Sequence, residues 1–264
     1  MRLQDGKIIW ITGASSGIGE ALTYLLSQRG CKLILSSRKK DALQKVQKQC
    51  AHPENVQVIP LDVSDFESLP EKAIAAKAAF GSIDVLINNA GISQRSLIID
   101  TDLEVYQRIM DVDFFGAVAL SKAVLPHFMS RQTGHFVTIS SLMGKFASPK
   151  RSGYCAAKHA LHGFFDALRM EHTKDNIGVT MVCPGFVQTN VAKNSLLGDG
   201  STRNEQSDSI ANGIPVAVAA KKIIRAVECE KLEVYMGQKE VFGVYLKRFF
   251  PKLLHKIVSK REVT

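Results

Sequence analysis

A tyrosine stands four residues before a lysine, Tyr154 and Lys158, inside the run ISSLMGKFASPKRSGYCAAKHALHGF. On a helix that spacing puts both side chains on one face. An ammonium beside a phenol favours the phenolate, so Tyr154 is a candidate general acid/base for moving a proton at an alcohol oxygen. Ser141, 13 residues upstream of the tyrosine, could hydrogen-bond the same oxygen. Spacing alone does not single out the pair, because Tyr235 and Lys239 repeat it. That second copy encloses Gly237 and has Lys222, not a serine, 13 residues upstream. It reads as surface.

The start of the chain holds a second chemical signal. A strand-like run, KIIWIT at 7–12, enters Thr12-Gly13-Ala14-Ser15-Ser16-Gly17-Ile18-Gly19, which then opens a helix. Glycines allow a sharp turn and a close approach of backbone to a pyrophosphate. The helix N-terminus adds free N–H donors and a positive dipole end. Gly13, Ser15, Ser16, Gly17, Ile18 and Gly19 are therefore the expected cradle of a dinucleotide. At the end of the second strand an acid would bind a ribose 2′-hydroxyl, whereas an arginine accommodates a 2′-phosphate. The chain reads Ser36-Ser37-Arg38-Lys39-Lys40 there, with no acid until Asp41. NADP(H) is the expected cofactor, with Arg38 as main phosphate partner and Ser37 assisting. Asp62-Val63 ends the third strand, where a carboxylate can accept from an adenine amine. Asn89-Ala90-Gly91 ends the fourth, where small residues let backbone lie close to a ligand.

These groups need a scaffold, and the apolar pattern supplies one. Strands are expected at 7–12, 32–36, 56–60, 83–87, 135–140, 178–183 and 232–236. Most are continuous apolar runs, as in parallel strands buried on both faces. Helical patterns fall between them at 17–29, 39–50, 64–80, 102–130, 152–174 and 215–229, with Asp41, Ser64, Asp65 and Thr101 as starting residues. The alternation predicts an α/β fold, a doubly wound parallel sheet in one domain spanning 1–240. Residues 186–214 are long, polar and poorly periodic. Loops beyond about 12–15 residues are uncommon in compact domains and often serve as lids. A lid over the carboxyl edge of the sheet, where such folds bind ligands, is expected here.

Composition narrows the function classes. With 264 residues, 45% hydrophobic and 22% charged, the chain can bury a full core. Five scattered cysteines form no CxxC pair, which argues for reduced thiols in a cytoplasmic setting. The first strand begins so early that no signal peptide is expected, and no apolar run approaches the ~18–20 residues of a transmembrane helix. Net charge is +9, and the C-terminal extension 241–264 carries six basic residues against one acid. Nucleic-acid binding would also need aromatic platforms or a reading helix, and neither is present. The extension could lie on an anionic membrane as a basic amphipathic helix, or pack on a partner or its own core, which is favoured; Pro251 breaks or kinks it. His159 and His162 lack a third metal ligand nearby, and Cys155 reads as a packed thiol.

TGxxxGxG, NNAG, SS-x-x-G before YxxxK, and Pro184-Gly185 with Thr189 fall in one ordered series. Together they resemble the short-chain dehydrogenase/reductase family over roughly residues 5–240. The resemblance implies a Rossmann-type sheet of seven strands with helices on both faces. It implies Tyr154 as acid/base, Lys158 as the group that activates it and holds the nicotinamide ribose, and Ser141 as the group orienting substrate. Ser140 is the rival for that last role. Thr189 and the backbone near Val187 would hold the carboxamide. Family members usually carry asparagine in the middle helix; this chain has Asp113. An ionised Asp113 would favour the Lys158 ammonium but oppose the phenolate, shifting the pH optimum upward.

Within the family the chain is most similar to lipid-directed reductases, the 11β-hydroxysteroid dehydrogenase-like and acyl/alkyl-dihydroxyacetone-phosphate reductase-like branch. An apolar carbonyl substrate is therefore expected, bounded by Met143 and Phe186 beside Ser141 and Tyr154, with Leu142, Phe146, Val187 and Val191 at the mouth. NADP(H) pools favour reduction, so a carbonyl reductase is expected, and a homodimer or homotetramer by family habit. The competing class is a cofactor-binding regulatory or scaffold protein without turnover.

Overall fold

The computed structural model describes residues 1–260; residues 261–264 of the expected C-terminal extension, including Arg261 and Glu262, lie outside the described residues. Strands β1 (Ile8–Thr12), β2 (Lys32–Ser36), β3 (Val56–Val58), β4 (Val85–Asn88), β5 (Gly134–Ile139), β6 (Ile177–Pro184) and β7 (Glu233–Met236) form one sheet. Their order is β3-β2-β1-β4-β5-β6-β7, every pairing parallel. The helices are α1 (Gly17–Ser27), α2 (Lys40–Lys48), α3 (Leu69–Phe80), α4 (Leu103–Met110), α5 (Gly116–Arg131), α6 (Ser152–Glu171), the single turn α7 (Asp208–Ala211) and α8 (Val216–Glu228). After the last strand come α9 (Phe242–Phe249) and α10 (Pro251–Ser259).

Period-two side-chain alternation splits each inner strand between two cores. Ile9, Ile11, Leu33, Leu35, Val85, Ile87 and Val137 face α1, α2 and α8. Trp10, Ile34, Leu86, Phe136 and Met181 face α3, α5 and α6. Burial on both faces explains why the strands read as unbroken apolar runs. Successive crossovers run outward one way from β1 to β3, then restart at β4 and run the other way. The crevice between β1 and β4 is thus the place where a ligand can enter.

Several expected boundaries move by a few residues. The helix expected from 64 starts at Leu69, because Asp62 Oδ1 accepts from both the Ser64 amide (3.0 Å) and hydroxyl (2.7 Å) and turns the chain first. The starting residues differ accordingly: Lys39, Ser68 and Asp102 flank α2, α3 and α4, and none caps through its side chain. The helix expected over 102–130 is interrupted by a π turn, Asp111–Phe115. Such turns insert one residue into the helical repeat and re-aim a side chain. Here the side chain re-aimed is the buried Asp113.

The polar stretch 186–214 is held down at several points. Gln94 bridges Leu196, Leu196 bridges Thr202, and Val187 bridges Ile214. Its Ala192, Leu196 and Ile210 are buried. In the C-terminal extension, Leu254 of α10 packs with Leu142, Phe146 and Cys183, and Leu246 and Val258 join them. Of the readings open for this segment, packing on the chain's own core is the observed one.

Candidate active site

The carboxyl ends of the strands open into one cavity of ≈ 940 Å³. Its first wall is the glycine-rich turn. Gly13 (φ +64°) and Gly17 (φ +59°) adopt the left-handed conformation that side chains disfavour. A Cβ on Gly19 would lie 2.5 Å from the Gly13 carbonyl oxygen, so only glycine lets α1 start this close to β1. Across the opening, the Thr189 methyl stands 3.3 Å from where a Gly17 Cβ would be.

Asn89 shapes this turn from behind: its Nδ2 donates to the carbonyls of Thr12 (2.9 Å) and Gly13 (3.2 Å). The Thr12 hydroxyl accepts from the amides of Asn89 (3.0 Å) and Ala90 (3.1 Å). Asn89 therefore serves by positioning, and only backbone at Asn89-Ala90-Gly91 is offered to a ligand.

Farther along the cleft, Ser37, Arg38, Asp62 and Val63 line the same cavity. The Ser37 hydroxyl is buried with no hydrogen-bond partner, and the neighbouring residue in the chain, Arg38, also lines the cavity. Burial works against ionisation of Asp62, but the two Ser64 bonds, with Arg38 and Arg108, outweigh it and hold the carboxyl below its usual range. A glycine cradle at the start of a helix fits a nicotinamide dinucleotide, whose pyrophosphate Gly13–Gly19 would hold.

α6 delivers Tyr154 and Lys158 to the cavity from one helical face. Lys158 Nζ donates to the Ile139 carbonyl (3.1 Å), lies 3.1 Å from Asp113 Oδ2 and stands 5.5 Å from the centre of the Tyr154 ring. Asp113 in turn accepts from the Ile92 amide at 2.7 Å. A Gly91 Cβ would come within 3.4 Å of both Lys158 Nζ and the Asp113 carboxylate, so the glycine leaves room for the pair. Burial disfavours the Lys158 ammonium, but the Asp113 carboxylate beside it more than offsets this and holds its pKa above the ordinary value.

The two serines before α6 divide cleanly. Ser140 donates to the Lys158 carbonyl and approaches His162 Nε2, both at 3.1 Å. Ser141 accepts from the Met143 amide (3.1 Å), donates weakly to the Pro184 carbonyl (3.3 Å) and faces the cavity with Tyr154. Ser141, not Ser140, is free to meet a substrate oxygen.

Met143, Phe186, Val187 and Thr189 also line the cavity, as do Leu142, Phe146 and Val191; Gly19, expected in the cradle, does not, because it is packed against the Gly13 carbonyl behind the turn. Tyr235 and Lys239 do not form a helical pair: Tyr235 lies on β7, half-buried, its ring 6.3 Å from that of Tyr245. It is not surface, as the sequence suggested, because α9 covers it.

Other features escaped the sequence reading. Phe242, Leu246, Leu254 and Val258 of the extension wall the cavity, as do Arg95, Ser148 and Arg151. His162 also acquires neighbours from distant strands: its ring, the Cys183 thiol and the Glu233 carboxylate lie within 4.8 Å of one another. Glu233 is paired there with Lys145 at 2.9 Å, burial pushes the Cys183 thiol well up, and His162 Nδ1 is buried without a hydrogen-bond partner. Only the run Pro149-Lys150-Arg151, basic and directly before Tyr154, gave a local hint of the cationic wall.

Similarity to known proteins extends over most of the chain. A family model described as "short chain dehydrogenase" matches residues 7–199. A "Dehydrogenase/reductase SDR family protein 7-like" from Anopheles gambiae is 40% identical over 266 residues, covering 97% of this chain and 83% of that protein. A short-chain dehydrogenase/reductase from Burkholderia phymatum, solved in complex with NAD, superposes with a TM-score of 0.85 at 22% identity, covering 96% of each chain. An alcohol dehydrogenase from Thermococcus sibiricus, complexed with 5-hydroxy-NADP, gives 0.75 at 24% identity, covering 88% of this chain and 97% of that one.

Proposed function

This chain belongs to the short-chain dehydrogenase family of oxidoreductases, and from that premise we propose that it reduces ketones to secondary alcohols with NADPH. The observation that carries the reading is the buried Lys158 clasped by Asp113 and set against Tyr154, with Ser141 facing the same space. NADPH supplies a hydride to the carbonyl carbon. Ser141 holds the carbonyl oxygen by a hydrogen bond, and Tyr154 gives that oxygen its proton. Lys158 lowers the cost of the phenolate left behind and binds the nicotinamide ribose. Proton transfer of this kind is worth ~10²–10⁴ in rate. Thr189 and the Val187 backbone hold the carboxamide.

The preference for NADP(H) rests on Ser37 and Arg38, since structural neighbours carry either cofactor form. An apolar carbonyl substrate is supported by Met143, Phe186, Phe146, Leu246 and Leu254 around the cavity. Residues 186–214 act as its lid. α4, α5 and the π turn between them, with Leu103 67% and Phe115 46% exposed, are the surface for a homodimer or homotetramer. No helix among the described residues is long and apolar enough to cross a membrane, while Phe242, Phe249 and Phe250, exposed among lysines, suit peripheral contact.

The test is NADPH oxidation with a panel of ketones, long-chain and steroidal ones included. Wild type should turn over at least one, and Tyr154→Phe should abolish turnover while NADPH still binds. Near-native turnover in that variant overturns the assignment. Asp113 in place of the usual asparagine favours one second reading, a cofactor-binding protein without turnover. That reading holds if NADPH binds and no ketone is reduced.

A further inference from the structure

Three buried polar atoms without a hydrogen-bond partner border the same cavity: Arg95 Nη1, Arg151 Nε and Ser148 Oγ. Arg95 is only 7% exposed. Neither arginine forms an ion pair among the described residues. Burial lowers the Arg95 pKa, and the charged groups that act on it, Arg151 and Arg203, are both cationic and lower it further. Arg203 alone has an acid, Glu205, at 3.5 Å. Buried charges are ordinarily paired, and buried polar groups ordinarily hydrogen-bonded. A wall of uncompensated guanidinium groups is therefore a feature that something must complete.

The backbone holds this wall in place. The Arg95 amide donates to the Leu196 carbonyl (2.8 Å), and the Leu196 amide donates back to Ser93 (2.8 Å). The Ser96 amide donates to the Lys150 carbonyl (3.1 Å), which joins the segment after β4 to the one before α6. Arg151 directly precedes α6, three residues before Tyr154, a rise of about 4.5 Å along the helix. Its guanidinium interacts electrostatically with the Tyr154 phenol. The N-terminal dipole of this 20-residue helix reinforces the positive field. The wall is separate from the site expected for a 2′-phosphate: β2, whose end leads into Ser37 and Arg38, lies two strands from β4, about 10 Å across the sheet.

Building on the reading of the site as a carbonyl reductase, we infer that Arg95, Arg151 and Ser148 form an anion subsite for a carboxylate or phosphate carried by the substrate. The guanidinium fork matches either group in two-point contact, and the Ser148 hydroxyl adds a third donor. The substrate is then a ketone with its negative group about one helical turn from the carbonyl that Tyr154 protonates. Its apolar part lies against Phe146, Leu246 and Leu254.

The experiment uses three ketones of one shape: 4-acetylbenzoate, 4-acetylphenyl phosphate and neutral methyl 4-acetylbenzoate. For wild type, kcat/KM for at least one charged ketone should exceed that for the ester tenfold or more. In Arg95→Gln and Arg151→Gln that ratio should fall at least tenfold, with Arg95→Lys restoring part of it. Whether the carboxylate or the phosphate responds identifies the source of the anion. A ratio unchanged within twofold, in variants that bind NADPH as wild type does, overturns the subsite. Should Arg95→Gln fail to fold, Arg151→Gln and Ser148→Ala carry the same test.

A calorimetric titration of the NADP⁺-saturated protein with 4-acetylbenzoate and 4-acetylphenyl phosphate separates this inference from the reductase reading. If no ketone is reduced but a charged ketone binds, and binding is lost in Arg151→Gln, the subsite stands without the activity. If the ester is reduced and neither charged ketone binds, the activity stands without the subsite.

Discussion

Lys158 and Asp113 form a buried ion pair, Nζ to Oδ2 at 3.1 Å, and the π turn at Asp111–Phe115 is what carries the carboxylate there. An asparagine at this position would be neutral. The aspartate instead sets an ionisable carboxyl behind the lysine that assists Tyr154; burial pushes the carboxyl's pKa up, against the pull of Lys158 and the Ile92 amide. On the lysine's side, the carboxylate more than offsets burial and holds the Lys158 ammonium above its ordinary pKa.

Asp113→Asn removes the ionisable carboxyl. In alcohol oxidation the proton acceptor must be deprotonated, so the rate rises with pH, and the variant's rising limb should lie at lower pH because a nearby carboxylate works against a second negative charge. Complete pH–rate profiles of both proteins decide the matter. Coincident profiles would remove Asp113 from the electrostatics of the site.

Arg38→Ala should raise the KM for NADPH by about 10–100-fold, the worth of a charge-assisted hydrogen bond, and leave that for NADH little changed. Paired saturation curves with the two cofactors measure it. An equal loss for both would place Arg38 outside phosphate recognition.

Gly19→Ala sets a Cβ 2.5 Å from the Gly13 carbonyl oxygen, an immovable backbone atom. Overpacking of this kind costs about 1–3 kcal/mol, and the shift falls on the turn that meets the pyrophosphate. NADPH binding, followed by fluorescence, should weaken more than tenfold. Wild-type affinity in a folded variant would contradict the cradle.

Leu254→Ala tests the wall made by the C-terminal extension. Leu254 is buried against Leu142, Phe146 and Cys183, and its truncation should cost about 2 kcal/mol or more. Reduction of long-chain ketones should suffer through KM more than that of short ones. Equal effects on both would leave Leu254 a purely structural residue.

Burial pushes His135 down to about 4, its Nε2 meeting the Thr180 hydroxyl at 2.9 Å. The unfolded chain takes up a proton near pH 6.5 and the folded one only near 4, so unfolding is favoured as pH falls between these values. The stability present above pH 6.5 should decline by about 3 kcal/mol on reaching pH 4 from this residue alone. Urea unfolding at pH 7 and at pH 4.5 gives the comparison. The decline should be smaller in His135→Gln; identical declines would clear the histidine.

Much of this was legible because parallel strands buried on both faces leave unbroken apolar runs, and the seven strands stand where those runs lie. The glycine turn, Ser141, Tyr154 and Lys158 were legible because each role demands a residue type at a fixed offset. The π turn was not: one extra residue in a helical repeat leaves no mark in composition. The cationic wall was hidden for another reason. Arg95 and Arg151 meet only through hydrogen bonds that join Ser96 to Lys150 and Arg95 to Leu196, partners far apart in the chain. Leu254 could have faced a membrane or a partner by pattern alone, and its contact with Phe146 decided otherwise.

The helices after β7 complete the cavity from outside the stretch, residues 7–199, that matches the family. Part of the substrate wall is consequently encoded apart from the proton-transfer apparatus. Mutation in the codons for residues 242–259 can retune the apolar side of the cavity while Tyr154, Lys158 and Ser141 stay untouched. A chimera carrying a relative's C-terminal helices on this catalytic body would change that side alone and keep the recipient's chemistry.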